Sequence, residues 1–195
     1  MTKSDQEKYI RLLNAAKKKI AEKGLVKTTV SDIVKEAGVA QGTFYLYFPS
    51  KNAVVSAIAT EHLENLFFTI KRKSASSHSF LSLLHIIVEE TFSATDYASD
   101  VLVLCYSGFA IGNAFEEWET IYEPYYEWFE QELNIAKKRN EVRQDLNTRQ
   151  TVRMIINLIE NTAERLYLSH EKDISAELMK IELLSFLKHA ICTLK

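Results

Sequence analysis

Two cysteines, two prolines and five glycines are few for a chain of 195 residues. Cys105 and Cys192 lie far apart with no CxxC. No disulfide framework is expected, and both read as small packing residues in a reducing, cytoplasmic setting. Scarce glycine and proline mean few turns, and alternating β-branched strands are hard to find. The chain therefore reads as all-α. No apolar run approaches the roughly 20 residues that cross a bilayer, and the N-terminus is charged, so neither a membrane span nor a signal peptide is expected. A Gly-rich phosphate loop and a nucleophile elbow are both absent. His62, His78, His85, His170 and His189 include no pair spaced as a helical zinc site. His85 and Glu89, one turn apart, read as a surface pair, and His78 and His85 can share a helix face. No enzymatic chemistry, metal or cofactor is expected.

What is present is a strong asymmetry of charge. The formal net charge is −2. Residues 1–73 nevertheless hold 13 Lys or Arg against 7 Asp or Glu, whereas residues 74–195 hold 11 against 19. A basic end beside an acidic body is expected when only one end meets phosphate. With 47% apolar residues there is enough core for one large domain or two small ones.

The stretch Thr28 to Lys51 organises the rest. Thr28 or Thr29 can cap a first helix, and Asp32 suits its positive end. Val30, Ile33, Val34 and Ala37 give it one apolar face. Gly38 can end it with positive φ. A second helix is expected from Ala40 to about Tyr47. Pro49 cannot extend it, and Ser50 can cap the next. Helix, glycine turn and short helix make a helix-turn-helix pattern. Phe44 and Phe48 can face inward together, which leaves Tyr45 and Tyr47 pointing elsewhere. A helix laid in the major groove offers its N-terminal residues to base edges and its hydroxyls to phosphates.

The run GLVKTTVSDIVKEAGVAQGTFYLYFPSK resembles the DNA-binding signature of the TetR-type bacterial repressors. The resemblance rests on the threonine pair, Asp-Ile-Val, Ala-Gly-Val in the turn, Gly-Thr-aromatic-Tyr, the second Tyr before Phe, and Ser-Lys opening the next helix. It covers about the first quarter of the chain, and beyond that only length and helical layout match. It implies a DNA-binding head at residues 1–50 and a ligand-binding and dimerisation body at 51–195, about nine helices in all. It also implies that Gln41, Gly42 and Thr43 approach base edges, and that Tyr45, Tyr47 and Lys51, with Thr29 and Ser31, hold phosphates. Gln41 stands where many relatives carry Lys, and Gln can bond adenine bidentately.

Helices flank this head. Residues 5–23 carry Ile10, Leu13, Ala16 and Ile20 as an apolar stripe closed by Gly24, with Lys17, Lys18 and Lys19 as a solvated face or a DNA-backbone contact. Residues 50–73 form a long helix that is apolar on more than one side. In the family it joins head to body. Ser74 to Ser79 is a polar break. Phe80, Leu83, Leu84, Ile87, Val88 and Phe92 mark a fifth helix, and Val101 to Ile111 reads as a buried one.

Phe115 to Leu133 is the most aromatic stretch. Phe115, Trp118, Tyr122, Tyr125, Phe129 and Leu133 share a stripe, Tyr126 widens it, and the glutamates Glu116, Glu119, Glu123, Glu127 and Glu130 form a solvated face. Pro124 should kink the helix. Such a wall, with Phe92, Tyr106 and Phe109, suits a small hydrophobic or aromatic effector. Aromatic faces near glutamates could also hold a lipophilic cation.

Two further helices are expected at about 148–169 and 175–194. Val152, Ile155, Ile156, Ile159, Ala163 and Leu166 line the first. Leu178, Ile181, Leu184 or Ser185, Leu187, Ala190 and Ile191 line the second. In the family these helices pair with those of a second subunit, which implies a homodimer through Ile155, Ile159, Leu166, Leu184, Leu187 and Ile191. The reading is a one-component regulator, in the family mostly a repressor, released from a palindromic double-stranded DNA operator by its effector. Control by a protein partner is the alternative. An all-helical enzyme or carrier is the third reading, and no converging acid–base or nucleophilic residues favour it.

Overall fold

A computed structural model describes residues 2–99, 102, 114–168 and 175–193. Among them it is all-helical, with eight helices: α1 Lys3–Lys27, α2 Val30–Ala37, α3 Gln41–Tyr47, α4 Lys51–Ser74, α5 Phe80–Tyr97, α6 Ala114–Lys138, α7 Thr148–Leu168 and α8 Ala176–Ile191. The helix expected over Val101–Ile111 lies outside the described residues except for Leu102. Gly24 leaves the helical region as expected, at φ 79° and ψ 159°, but one more turn follows it to Lys27. Pro124 sits inside α6 without ending it.

The chain divides into two compact units. Among the described residues one is built on those up to His62 with Leu102, Ala114 and Phe115, and the other on Leu63–Ser99 and those from Glu116 on. The division falls within α4.

In the first unit, Leu12, Leu13, Ala16 and Ile20 of α1 are buried with Ile33, Val34 and Ala37 of α2, Phe44 and Phe48 from the α3 region, and Val54, Val55, Ile58 and Ala59 of α4. Ile10 is exposed, contrary to the expected stripe. Counting back from Ile20 at 3.6 residues per turn passes through Leu13 to Tyr9 instead, and the Tyr9 ring packs 5.2 Å from that of Phe48. Ser50 caps α4 by accepting from the Ala53 N–H at 3.2 Å.

The second unit has one continuous core. Leu63, Leu66 and Ile70 of α4 join Phe80, Leu84, Ile87 and Phe92 of α5, Tyr125, Phe129 and Leu133 of α6, and the inner stripes of α7 and α8. Phe80 and Phe129 stack with ring centroids 5.9 Å apart. After α6 the chain passes beside the end of α8, where the Arg143 N–H donates to the Ile191 carbonyl at 2.9 Å and the Thr193 N–H to the Glu141 carbonyl at 3.1 Å.

Candidate nucleic-acid interface

The head is built from the start of α2. Thr29 is its N-cap, in extended backbone, and its hydroxyl accepts from the Asp32 N–H while the Asp32 carboxylate accepts from the Thr29 N–H. This capping box satisfies two of the free donors of a helix start. Lys23 pairs with Asp32 at 2.6 Å. That ammonium first, then Thr29, holds the Asp32 carboxyl far below the ordinary carboxylate range. Thr28, the other candidate cap, is buried and donates to the Gly24 carbonyl at 2.8 Å and to that of Lys19 at 3.1 Å.

The turn after α2 needs glycine. Gly38 adopts φ 63° and ψ 42°, the left-handed region that side chains resist. The Val39 N–H reaches the Val34 carbonyl at 3.1 Å, the bond that closes a Schellman end. The Arg11 guanidinium of α1 donates to the Ala37 and Gly38 carbonyls, and a Cβ at position 38 would stand 3.0 Å from that guanidinium. A charged group at a helix C-terminus thus fixes where α3 begins.

Phe44 of α3 and Phe48, its C-cap, turn inward as expected, with centroids 5.6 Å apart. Gln41, Gly42 and Tyr45 are exposed and Thr43 is half-buried; Thr29 and Ser31 are exposed beside α2. Tyr47 is less free. Its hydroxyl donates to Asp5 at 3.4 Å, and its ring meets that of Tyr9 edge-on at 6.1 Å. Leu46 is the residue that motif reasoning passes over. It is 81% exposed, on the same short helix as Gln41 and Tyr45. An outward leucine on a polar helix is the only signal for it, and its chemistry matches a thymine methyl in the major groove.

Lys51 differs from the expected phosphate contact. Its ammonium donates to the carbonyls of Leu25 at 2.6 Å, Thr28 at 3.0 Å and Val26 at 3.4 Å. Its three donors therefore hold the end of α1 against the start of α4. The Lys17–Lys19 run is likewise engaged: Lys17 pairs with Glu61, Lys18 with Glu36, and Lys19 with Glu22 at 2.8 Å and Glu36 at 3.1 Å. Exposed Lys27 and Lys35, by contrast, hold no ion pair among the described residues. They are the basic groups of the α2 region left open to an outside anion.

Of the expected effector residues, Phe92, Tyr122, Tyr125, Tyr126 and Phe129 sit in the second unit. Phe92, Tyr125, Tyr126 and Phe129 are buried in its core, so they support the fold as well as any pocket. Tyr106 and Phe109 lie outside the described residues, as does the side chain of Trp118. The glutamate face is not purely solvated. Arg153 of α7 pairs with Glu119 and, at 3.4 Å, with Glu123, and its guanidinium lies 4.3 Å over the Tyr126 ring. Burial first, then Glu119, pushes the Tyr126 hydroxyl up to about 12. Tyr122 donates to both carboxylate oxygens of Glu160, at 3.0 Å each. His78 and His85 are both exposed. Among the described residues no group of His, Cys, Asp and Glu could hold a metal ion.

The expected dimer residues lie on the inner side of α7 and α8. Ile155, Ile159, Leu184, Leu187 and Ile191 are buried in their own unit, and Leu166 packs against that core. The densest apolar stripe of each helix serves its own subunit first, because that is where it meets water-free partners. What remains exposed is a weaker outer set: Met154 on α7, and Leu178, Ile181 and Phe186 on α8. Leu178 and Ile181 thus depart from the stripe that the periodicity predicts. The inward stripe of α8 is instead Leu183, Leu184, Leu187 and Ile191.

Comparison with known proteins adds to this geometry. Residues 12–58 match the family model described as bacterial regulatory proteins, tetR family. Residues 84–191 match that for the tetracyclin repressor-like C-terminal domain. The HTH-type transcriptional regulator YvdT of Bacillus subtilis, itself described as uncharacterized, is 48% identical over 193 residues, which cover 99% of this chain and 100% of that protein. The crystal structure of the regulator FadR from Bacillus subtilis, in complex with stearoyl-CoA, aligns with a TM-score of 0.78 at 22% identity, over 92% of this chain and 97% of that one. A regulator from Saccharomonospora viridis, in complex with choline, aligns with a TM-score of 0.75 at 18% identity, over 98% of this chain and 100% of that one. At these identities the two structures speak to the fold.

Proposed function

The chain is a helix-turn-helix transcriptional regulator of the TetR family, and from that premise we propose that it acts in the cytoplasm as a homodimeric repressor. In this reading two copies hold a palindromic operator, each laying α3 in the major groove. A small hydrophobic or aromatic effector bound in the second unit releases them. Members of the family are in general DNA-binding proteins without enzymatic activity, and no cofactor enters the account.

One observation carries the reading. The short α3 buries Phe44 and Phe48 yet leaves Gln41, Gly42, Tyr45 and Leu46 exposed. The buried pair anchors the helix and the exposed set gives it a reading face. Gln41 can bond adenine, and Leu46 can touch a thymine methyl. Thr29, Ser31, Thr43, Tyr45 and Tyr47 supply hydroxyls for phosphates, and Lys27 and Lys35 supply charge.

A two-fold dimer follows from what such a head needs. Half-sites on the same face of DNA lie one or more helical turns apart, and a symmetric protein matches them. Exposed Met154, Leu178, Ile181 and Phe186 give α7 and α8 an apolar outer face for that pairing.

The effector reading rests on the aromatic α6 and on the neighbours in hand, one holding stearoyl-CoA and another choline. The effector must prefer a dimer conformer whose two α3 helices no longer match the groove spacing, since equal affinity for both would shift nothing.

Selection from random duplex DNA tests the proposal. Enrichment of a two-fold symmetric site, bound by two copies and given up when a cellular metabolite fraction is added, supports it. An asymmetric consensus would count against the dimer. Release only by a protein fraction would favour the alternative of a partner-controlled regulator.

A further inference from the structure

Glu160 lies midway along α7, with its carboxyl facing the aromatic helix α6. Both of its oxygens accept from the Tyr122 hydroxyl at 3.0 Å. The Tyr122 and Tyr126 rings lie side by side, 5.6 Å apart at 32°. Tyr125, one residue on, is buried, and its hydroxyl has no hydrogen-bond partner among the described residues. No basic side chain reaches Glu160 among the described residues. Two basic residues of its own helix approach this wall: Arg153, whose guanidinium is taken by Glu119, Glu123 and the Tyr126 face, and Arg149, which pairs with Glu123 at 3.9 Å.

The carboxyl is therefore placed where charge is costly and left without a countercharge. Burial is the main cause that pushes its pKa up to about 8; Glu164 adds to the rise and the Tyr122 hydrogen bond opposes it. A residue that only filled space here would be cheaper as glutamine or leucine.

We propose that the effector carries a positively charged nitrogen, and that Glu160, flanked by the rings of Tyr122 and Tyr126 and by the unpartnered hydroxyl of Tyr125, receives it. This rests on the reading that the second unit binds a small effector, and it names that effector's chemistry: an organic ammonium with apolar substituents. The carboxyl gives its proton to solvent as the cation arrives and supplies the countercharge, and electron-rich ring faces hold the alkyl or aryl groups around the nitrogen. The Tyr125 hydroxyl is a ready acceptor for an N–H. Anionic and neutral hydrophobic molecules lack what Glu160 offers.

The test pairs two probes of one shape on the full-length protein. Benzyltrimethylammonium and its uncharged carbon isostere neopentylbenzene are titrated while intrinsic fluorescence is followed. The expected result is that the cation binds about tenfold more tightly. Glu160→Gln, nearly isosteric, should bring the two within about threefold while the neutral probe keeps its affinity. Equal binding by the wild-type protein overturns the proposal without reference to any variant. A preference that survives in Glu160→Gln also overturns it. If neither probe binds but a neutral or acyl compound releases the operator, the effector reading stands and the cation is ruled out. If no compound of any charge releases the operator, both readings fall.

Discussion

The Lys51 ammonium donates to the Leu25 carbonyl at 2.6 Å, across the junction between the end of α1 and the start of α4. The residue that motif matching assigns to phosphate is thus the clamp on α1's last turn, together with its bonds to Thr28 and Val26.

Replacing it should separate stability from binding. Lys51→Met should lower unfolding stability by about 1–2 kcal/mol, the usual worth of hydrogen bonds to a charged group at a half-buried site. The slope of log affinity against log salt should stay as in the wild type. Denaturant unfolding and DNA titration at several salt concentrations check both halves.

Lys27 and Lys35 should behave in the opposite way. Each is exposed and without an ion pair among the described residues. Lys27→Ala and Lys35→Ala should each reduce the salt slope by about 1 and weaken all DNA sequences alike. Unfolding midpoints should not move. A loss confined to one operator sequence would instead place the lysine at a base.

Burial separates the two faces of α8. Phe186 is 63% exposed and its neighbour Leu187 is 2% exposed. Ile181→Glu combined with Phe186→Glu should yield a folded monomer with normal helicity, seen by sedimentation. Leu187→Ala should cost about 2–5 kcal/mol of stability through the cavity it leaves and keep the oligomeric state until unfolding. A double variant that stays dimeric would move the interface to another face.

Glu160 makes stability depend on pH. Its folded pKa of about 8 stands above the ordinary value of 4.5, so the neutral carboxyl is what the fold accommodates. Below pH 4.5 both states hold the proton and the group costs nothing. As pH rises toward 8 the unfolded chain ionises while the folded one does not, and stability is lost through that window. Glu160→Gln should match the wild type near pH 4.5 and exceed it at pH 8.5 by roughly 1–3 kcal/mol, discounted for partial exposure. Denaturant midpoints at the two pH values give the answer.

The sequence carried the head well, because its signals are local. Thr29 with Asp32, Gly38, and Phe44 with Phe48 each act within a turn or two, and each does what its spacing demands. Long-range partners were not legible. Nothing near Lys51 in the chain announces carbonyls at Leu25 and Thr28, and nothing near Lys17 announces Glu61. Periodicity found the apolar stripe of α7 but could not say that Ile155 and Ile159 face their own core. On α8 it found Leu184, Leu187 and Ile191 but ran the stripe back through exposed Leu178 and Ile181, because an inward and an outward apolar set share one helix. Glu160 gave no signal at all: a glutamate between Ile159 and Asn161 reads as surface until the fold sets Tyr122 against it.

The most direct test of the central claim is a footprint on the selected operator by the wild type and by Tyr45→Ala. Tyr45 is 53% exposed, so its removal should leave unfolding unchanged within about 0.5 kcal/mol. Two protected half-sites related by a two-fold axis are expected for the wild type, and their loss in the variant at the same protein concentration. An unchanged footprint in Tyr45→Ala, with the protein folded, would contradict the assignment of α3 as the helix that reads DNA.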